Sequence, residues 1–585
     1  MLKLLKNLRK KEWLLMIISL VLIIAQVWLE LKMPDYMSEI TVLVQTEGSQ
    51  MSEIITNGAY MLACALGSLI SAVIVGYLAS NISASFSMKV RKKIFNKVGN
   101  LAMNEVKMFS TSSLITRTTN DITQIQMLVA MGLQLMIKAP ITAVWAITKI
   151  LNKSWQWSAI TGVGIVVLLG VISTLMAIVM PRFKKVQKLI DRINGVTREN
   201  LTGIRVVRAF NAEKYQEEKF EKVNTDLTNM QLFNQKAFSV LSPVMYLVMY
   251  FLTLAIYFVG AFLIKDALMA EKIGLFGDMV VFSSYAMQII MSFLMLAMIF
   301  MMLPRAEVSA ERINEVLDTE ISIKDGKVNK DLTDERGTVE FKNVSFKYPD
   351  ADEYLLKDIS FKANKGETVA FIGSTGSGKS TLINLVPRFY DVTDGEILID
   401  GVNVKDYTQE FLHNKLGYVS QKAVIFNDTV KNNVSYGENG KGEITEEKIK
   451  KEVAQGKEFI EKMENQYDTE MSQGGTNVSG GQKQRISIAR AIAREPEIYI
   501  FDDSFSALDY KTDSVLRKEL KKYTKDATTL IVAQRIGTIM NADKIIVLDE
   551  GKVVGMGTHK ELLKNCPVYE QIALSQLSKE ELENG

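Results

Sequence analysis

Eight consecutive residues, Gly373-Ser374-Thr375-Gly376-Ser377-Gly378-Lys379-Ser380, set three glycines, a lysine and a hydroxyl in the spacing GxxxxGK[ST]. Glycines let backbone N–H groups wrap an anion where a helix begins, Lys379 is placed to neutralise the β and γ oxygens of a nucleotide, and the Ser380 hydroxyl to ligate magnesium. The flanks agree, since ETVAFI reads as a buried strand and TLINLV as a helix. A nucleotide site is therefore expected. A later apolar strand, IYIFD, ends in Asp502, where a carboxylate can hold magnesium, usually through water, and Asp503 follows it directly. Between the two lies NVSGGQKQRISIARA, in which Ser479, Gly480, Gly481 and Gln482 offer a hydroxyl, bare backbone and an amide at another helix start. One nucleotide cannot easily use both surfaces of a single chain, because the second glycine pair opens its own helix. A partner's nucleotide can.

These residues need elements to hold them. At 585 residues the chain exceeds what one hydrophobic core serves. Its second part alternates short strands with amphipathic helices, the signature of an α/β P-loop domain with a helical subdomain, expected over residues 337–585 after a linker at 321–336. The first part, residues 1–320, is of another kind. Apolar stretches at about 13–31, 57–79, 124–148, 156–180, 240–264 and 278–303 are near or above the ~20 residues that cross a bilayer as a helix. Six spans are expected. The first lacks a small-residue cleavage site and reads as retained.

Basic residues cluster in MLKLLKNLRKKE and MKVRKKIFNK, whereas the stretch PDYMSEITVLVQTEGSQMSEIITNG, read as the first connecting loop, has acids and no bases. Both termini are accordingly placed in the cytoplasm. The segments 81–123 and 181–239 are long and helix-patterned, as expected of helices that project into the cytoplasm and turn there. Lys138 is an ionisable residue within a predicted span, and the reading preferred for it is a side chain snorkelling to the inner headgroups. The last span carries Met279, Met287, Met291, Met295, Met298, Met301 and Met302, thioethers that suit either a wall accommodating varied apolar ligands or ordinary packing. Ser284 and Gln288 in that span are candidate polar contacts to a substrate.

Net charge is +3 and no basic tract interleaves with aromatics, so nucleic acid is not an expected partner. The two cysteines, Cys64 and Cys566, lie far apart in different halves and read as free, buried thiols.

The motifs together resemble the ATP-binding cassette (ABC) transporters, and the resemblance covers essentially the whole chain. It implies ATP and Mg2+ as cofactors, an adenine-stacking aromatic at Tyr348 in VSFKYPD, and a phosphate loop over Ser374, Thr375, Gly376, Ser377, Gly378, Lys379, Ser380 and Thr381. It further implies a glutamine at Gln421 in GYVSQ that reaches the metal and the reaction centre beside Ser380 and Asp502. VSGGQ would be the signature presented to a partner-bound ATP, and SALD a loop ending at Asp509. Six spans before one cassette resemble a half-transporter of the exporter type, a multi-pass protein of a bacterial plasma membrane. Its coupling helices would lie around Phe109 to Thr116 and Gly203 to Phe210.

Two positions depart from the family pattern. The family's glutamate after Asp502, which polarises the attacking water, is here Asp503, a carboxylate withdrawn by roughly 1 Å, and misplacement on that scale costs about 100-fold in rate. The family's histidine after the next strand is here Gln534, in TLIVAQR, which can hydrogen-bond a phosphate but carries no charge. With VSGGQ intact, the pattern resembles the degenerate-site subunit of bacterial heterodimeric multidrug exporters. The expectation is thus a heterodimer with a different half-transporter, weak hydrolysis at this chain's own site, and export of small hydrophobic or amphipathic compounds by alternating access. Lipid, peptide or haem-type export, or an ATP-gated regulatory module, are the alternatives.

Overall fold

The computed structural model describes residues 2–6, 8–46, 48–151, 155–268, 271–437, 441–442, 444–445, 449 and 456–577. Two compact units emerge from its contacts. One comprises Met1–Gly99 with Thr111–Thr319, the other Asn100–Ser110 with Glu320–Gly585.

The first unit is helical. It contains α1 (Leu2–Leu5), α2 (Lys10–Gln45), α3 (Met51–Gly99), α5 (Thr111–Thr118), α6 (Asn120–Met131), α7 (Ile137–Leu151), α8 (Trp155–Thr202), α9 (Ile204–Ala209), α10 (Glu213–Ser239), α11 (Leu241–Asp266) and α12 (Lys272–Asp318), while α4 (Met103–Met108) belongs to the second unit. Among the described residues, six continuous stretches are long and apolar enough to cross a membrane, namely Lys10–Gln45, Met51–Gly99, Thr111–Leu151, Trp155–Thr202, Glu213–Asp266 and Lys272–Asp318. The shortest has 36 residues and the longest 54, so each exceeds the ~20 that the hydrocarbon requires. The segments read as long helical loops are the extensions of these helices.

Two readings of this half are corrected. PDYM is not a loop: α2 carries Pro34 inside the helix and continues to Gln45. A buried helix interior tolerates the missing N–H where neighbouring helices supply the packing, and Pro34 is itself buried. Lys138 does not snorkel to an interface. It follows a π-helical turn at Gly132–Met136 and pairs with Glu30 of α2 at 2.8 Å, both side chains being largely covered. A salt bridge within the bundle replaces the hydration that snorkelling would have kept. A second pair, Lys149 with Asp35 at 2.8 Å, also links α7 to α2, and Tyr285 of α12 donates to Asp35 at 2.6 Å.

An apolar core joins Ile23, Val27, Leu31, Val75, Ala146, Trp157, Leu252, Ile256, Phe282 and Ile289, with the Trp157 indole donating to the Ile256 carbonyl at 3.1 Å. Of the methionines of α12, Met279 is buried, whereas Met287, Met291 and Met298 are exposed. Cys64 and Cys566 are free and buried.

The second unit is built on two sheets. The smaller is antiparallel, ordered β2–β1–β4–β5 from β1 (Val339–Phe346), β2 (Leu356–Ala363), β4 (Asp394–Ile399) and β5 (Val402–Asn403). The larger is ordered β10–β9–β3–β8–β7–β6, from β3 (Thr368–Gly373), β6 (Leu416–Val419), β7 (Ile498–Asp502), β8 (Thr528–Val532), β9 (Lys544–Asp549) and β10 (Lys552–Gly557). Strands β9, β3, β8, β7 and β6 are mutually parallel and β10 closes one edge antiparallel. Strands β7 and β8 are buried at every position, as parallel strands covered on both faces must be. The loops leaving β3, β6, β7 and β8 therefore emerge side by side at one edge, where parallel α/β sheets bind ligands.

Candidate functional site

The loop from Gly373 to Gly378 joins β3 to α13 (Lys379–Asn384). Its backbone admits only glycine at two points. A Cβ on Gly373 would lie 1.9 Å from the Leu548 carbonyl oxygen, and one on Gly378, at φ +92, would lie 2.6 Å from Leu356 Cδ2. The chain is thus drawn tightly around its own concavity. Into it turns Lys379, whose Nζ donates to the carbonyls of Gly373 at 2.9 Å and Ser374 at 2.6 Å and to Ser377 Oγ at 3.3 Å. Burial holds this amine below its usual 10.5, opposed by the charges of Asp503 and Asp502. A cation caged by loop carbonyls and partly desolvated is what an incoming polyphosphate would complete.

Ser380 and Asp502 meet across the sheet, the Ser380 hydroxyl donating to Asp502 Oδ1 at 2.6 Å. Burial raises the Asp502 carboxyl above the usual 3.8, with the Ser380 hydrogen bond opposing it and the neighbouring Asp503 adding to it. A serine hydroxyl and a carboxylate in contact, backed by Lys379, are the oxygen donors that would hold a Mg2+ ion, which would supply charge neutralisation beside the phosphates.

Asp503 takes φ +46, a left-handed conformation that aspartate tolerates better than most residues. Its Oδ2 accepts from two side-chain amides, Gln421 Nε2 at 3.2 Å and Gln534 Nε2 at 2.8 Å. Burial raises this carboxyl as well, and the largest opposing influence is the Gln421 hydrogen bond. Thus Ser380, Gln421, Asp502, Asp503 and Gln534, from four adjacent strands' ends, are gathered at one place.

Tyr348 lies beside them. Its hydroxyl shares a hydrogen bond with Thr381 Oγ1 at 3.0 Å, and Phe346 and Tyr390 meet it edge to face with centroids 5.0 and 5.3 Å away.

The signature stretch is occupied with itself. Ser479 caps α14 (Gly480–Ala493), its Oγ accepting from the Gln482 amide N–H at 3.3 Å while Gln482 Oε1 accepts from the Ser479 N–H at 2.8 Å. Gly480 and Gly481 leave bare backbone at this helix start. Asp509 likewise caps α15 (Tyr510–Tyr523), accepting from the Thr512 N–H at 2.9 Å and hydroxyl at 2.6 Å, and these bonds hold its carboxyl below 3.8.

Three supporting residues escaped the sequence reading. Gln484, buried in α14, donates to the Gln421 carbonyl at 3.2 Å and so ties the signature helix to the glutamine loop. It stands in the quoted motif, but only the fold tells which side of the helix is covered. Gln576 donates to the Gln534 carbonyl at 2.8 Å. Lys107 of α4 rests 4.9 Å from the Tyr348 ring centroid and 5.4 Å from that of Tyr390, and no motif marks it. Glu105 of the same helix accepts from Ser322 at 2.6 Å.

Comparison with known proteins agrees with this architecture. Residues 16–293 match the ABC transporter transmembrane region and residues 356–506 match the ABC transporter family. An uncharacterized ABC transporter ATP-binding protein of Mycobacterium tuberculosis is 39% identical over 526 residues, 89% of each chain. The ATP-dependent lipid A-core flippase of Pseudomonas aeruginosa is 33% identical over 500 residues, 85% of this chain and 81% of its own. A bacterial Atm1-family ABC exporter solved with ATP bound shares the fold, with a TM-score of 0.81 at 24% identity over 95% of this chain and 97% of that one. The chain belongs to the ABC transporter family. It is a half-transporter in build, six apolar helices followed by one α/β ATP-binding domain.

Proposed function

We propose that this chain is one subunit of an asymmetric heterodimeric exporter that moves hydrophobic or amphipathic compounds out of the cell by alternating access, binding ATP firmly at its own site and hydrolysing it poorly. The observation that carries the asymmetry is the Asp503 carboxylate, whose Oδ2 is engaged by two neutral amides. A general base gains from a cationic neighbour as charge develops, and its contribution is typically 10²–10⁴-fold. Gln534 supplies no charge, and Asp503 is one methylene shorter than the glutamate it stands for.

In this reading Tyr348 stacks the base, the amides of residues 374–381 and Lys379 hold the phosphates, and Ser380 with Asp502 and Gln421 would hold the metal. Bound Mg2+ would spread the charge that develops on the phosphates. Ser479 to Gln482 close over the nucleotide of the second, different half-transporter, and Asp509 steadies the adjoining helix. That partner supplies the glutamate and the histidine of the hydrolytic site. Both termini lie on the cytoplasmic side of a bacterial plasma membrane, with the segments Phe109 to Thr116 and Gly203 to Phe210 transmitting closure of the two cassettes to the spans.

Lipid cargo is a second reading, favoured by the identity to the lipid A-core flippase over most of the chain. ATP-driven accumulation of dye and of labelled phospholipid in inverted vesicles carrying both subunits separates the two. Absence of ATP-driven movement of any compound would refute export and leave a regulatory membrane module.

A further inference from the structure

The pair Glu30 and Lys138 lies deep within the helical unit. Both residues stand on stretches long and apolar enough to span a bilayer, Lys10–Gln45 and Thr111–Leu151. Burying two charges costs more than their attraction commonly returns, and an apolar pair of similar volume is often at least as stable. Charge retained at such depth points to function.

The geometry says what kind. Three donors from three helices converge on a single atom, Glu30 Oε1: Lys138 Nζ at 2.8 Å, Gln26 Nε2 at 2.9 Å and Ser68 Oγ at 3.0 Å. Among the described residues no donor reaches Oε2, and Lys138 Nζ has two further protons without an acceptor. Both side chains keep about a fifth of their surface accessible, 21% for Lys138 and 23% for Glu30. The cluster is electrically neutral yet offers one vacant anionic acceptor and one vacant cationic donor side by side. Apolar core residues flank it along both helices, Val27 and Leu31 on α2 and Ile137 and Ile141 on α7, and the Lys149–Asp35 pair joins the same two helices.

Two further features agree. The π-helical turn Gly132–Met136 immediately precedes Lys138, and such widened turns recur at functional sites. Helix α12, which packs on both that turn and α7, carries Gln288, whose buried Oε1 has no hydrogen-bond partner among the described residues.

We infer that Glu30 and Lys138, with Gln26 and Ser68, form a recognition site for the head group of a zwitterionic amphiphile. A primary ammonium donates to Glu30 Oε2, a phosphate accepts from Lys138 Nζ, and the hydrocarbon body lies against the apolar residues around them. A purely cationic head meets Lys138 and a purely anionic one meets Glu30, so each loses what the zwitterion gains. This names the chemical class of substrate for the exporter proposed above and rests on that reading for its role in transport, though not for binding itself.

The test is equilibrium binding of three C16 probes to the full chain in maltoside detergent: lysophosphatidylethanolamine, hexadecyltrimethylammonium and hexadecyl phosphate. Lysophosphatidylethanolamine is expected to bind roughly tenfold or more tighter than either singly charged probe, the scale of one charge-assisted hydrogen bond. The neutral double variant Glu30→Gln/Lys138→Met is expected to lose that preference, and the exchange Glu30→Lys/Lys138→Glu to regain it. Wild type without the preference, or a neutral double variant that keeps it, overturns the inference and leaves the pair as structural. ATP-analogue binding reports whether each variant is folded; if the neutral variant is not, the charge exchange alone decides. Vesicle transport is read separately. Preference without ATP-driven movement would sink the exporter reading and spare this site, whereas movement without preference would do the reverse.

Discussion

Lys379 and Asp503 carry the residue-scale argument, and they were legible to different degrees. The spacing GxxxxGK[ST] placed Lys379 in its loop from the sequence, because glycines at fixed offsets and a strand–helix flank leave little choice of conformation. Replacing it by methionine removes the charge the loop carbonyls hold and is expected to weaken binding of a fluorescent ATP analogue by about 100-fold, the loss of strong charge-assisted contacts to phosphate. Tyr348→Ala is expected to weaken the same binding by roughly tenfold, since a base stacked on an aromatic ring contributes about 1–3 kcal/mol. What the sequence could not show is that Gln421 and Gln534 both reach the same oxygen of Asp503. Those residues are far apart along the chain, and only the adjacency of β6, β7 and β8 brings them together. Nor did it foresee the positive φ of Asp503, which means that an Asp503→Glu change must also accept a left-handed backbone.

Among the elements, the β3 loop and the first long helix behaved differently. The loop's tightness makes a sharp prediction. Gly378→Ala forces a Cβ into Leu356 at a left-handed φ, so ATP-analogue binding should be lost with a fall in stability of about 1–3 kcal/mol, read from urea unfolding. At the base of the same strand, Glu367 pairs with Lys544 at 2.7 Å. Its burial would raise its carboxyl, but the hydrogen bonds from Lys544 and Asn364 prevail and hold it below 4.5. A depressed carboxylate adds stability above its unfolded value that is lost as pH falls through the folded one. Glu367→Gln should therefore cost about 1 kcal/mol at pH 7, and its difference from wild type should shrink as pH drops below 4.5 in the same unfolding experiment. Helix α2, by contrast, runs on past the predicted span to Gln45. Its proline and acids resemble a turn, and the partners that make them tolerable, Lys138 and Lys149 of α7 and Tyr285 of α12, lie more than 100 residues away. Hydropathy windows register such side chains as polar interruptions because they carry no record of pairing.

At the scale of the whole molecule, six apolar helices and a cassette were plain from composition and motif order, and membership of the ABC transporter family follows from the matches over both parts. The asymmetry between two cassettes is the central claim, and it concerns a second subunit. It is tested most directly by the ATPase rate of the purified complex with its partner, measured after Asp503→Ala in this chain and, separately, after glutamate→Gln at the corresponding position of the partner. The account predicts that the partner change lowers turnover about 100-fold or more while Asp503→Ala leaves most of it. Equal collapse in both variants, or brisk hydrolysis by this chain alone, would contradict it and make Asp503 a working base.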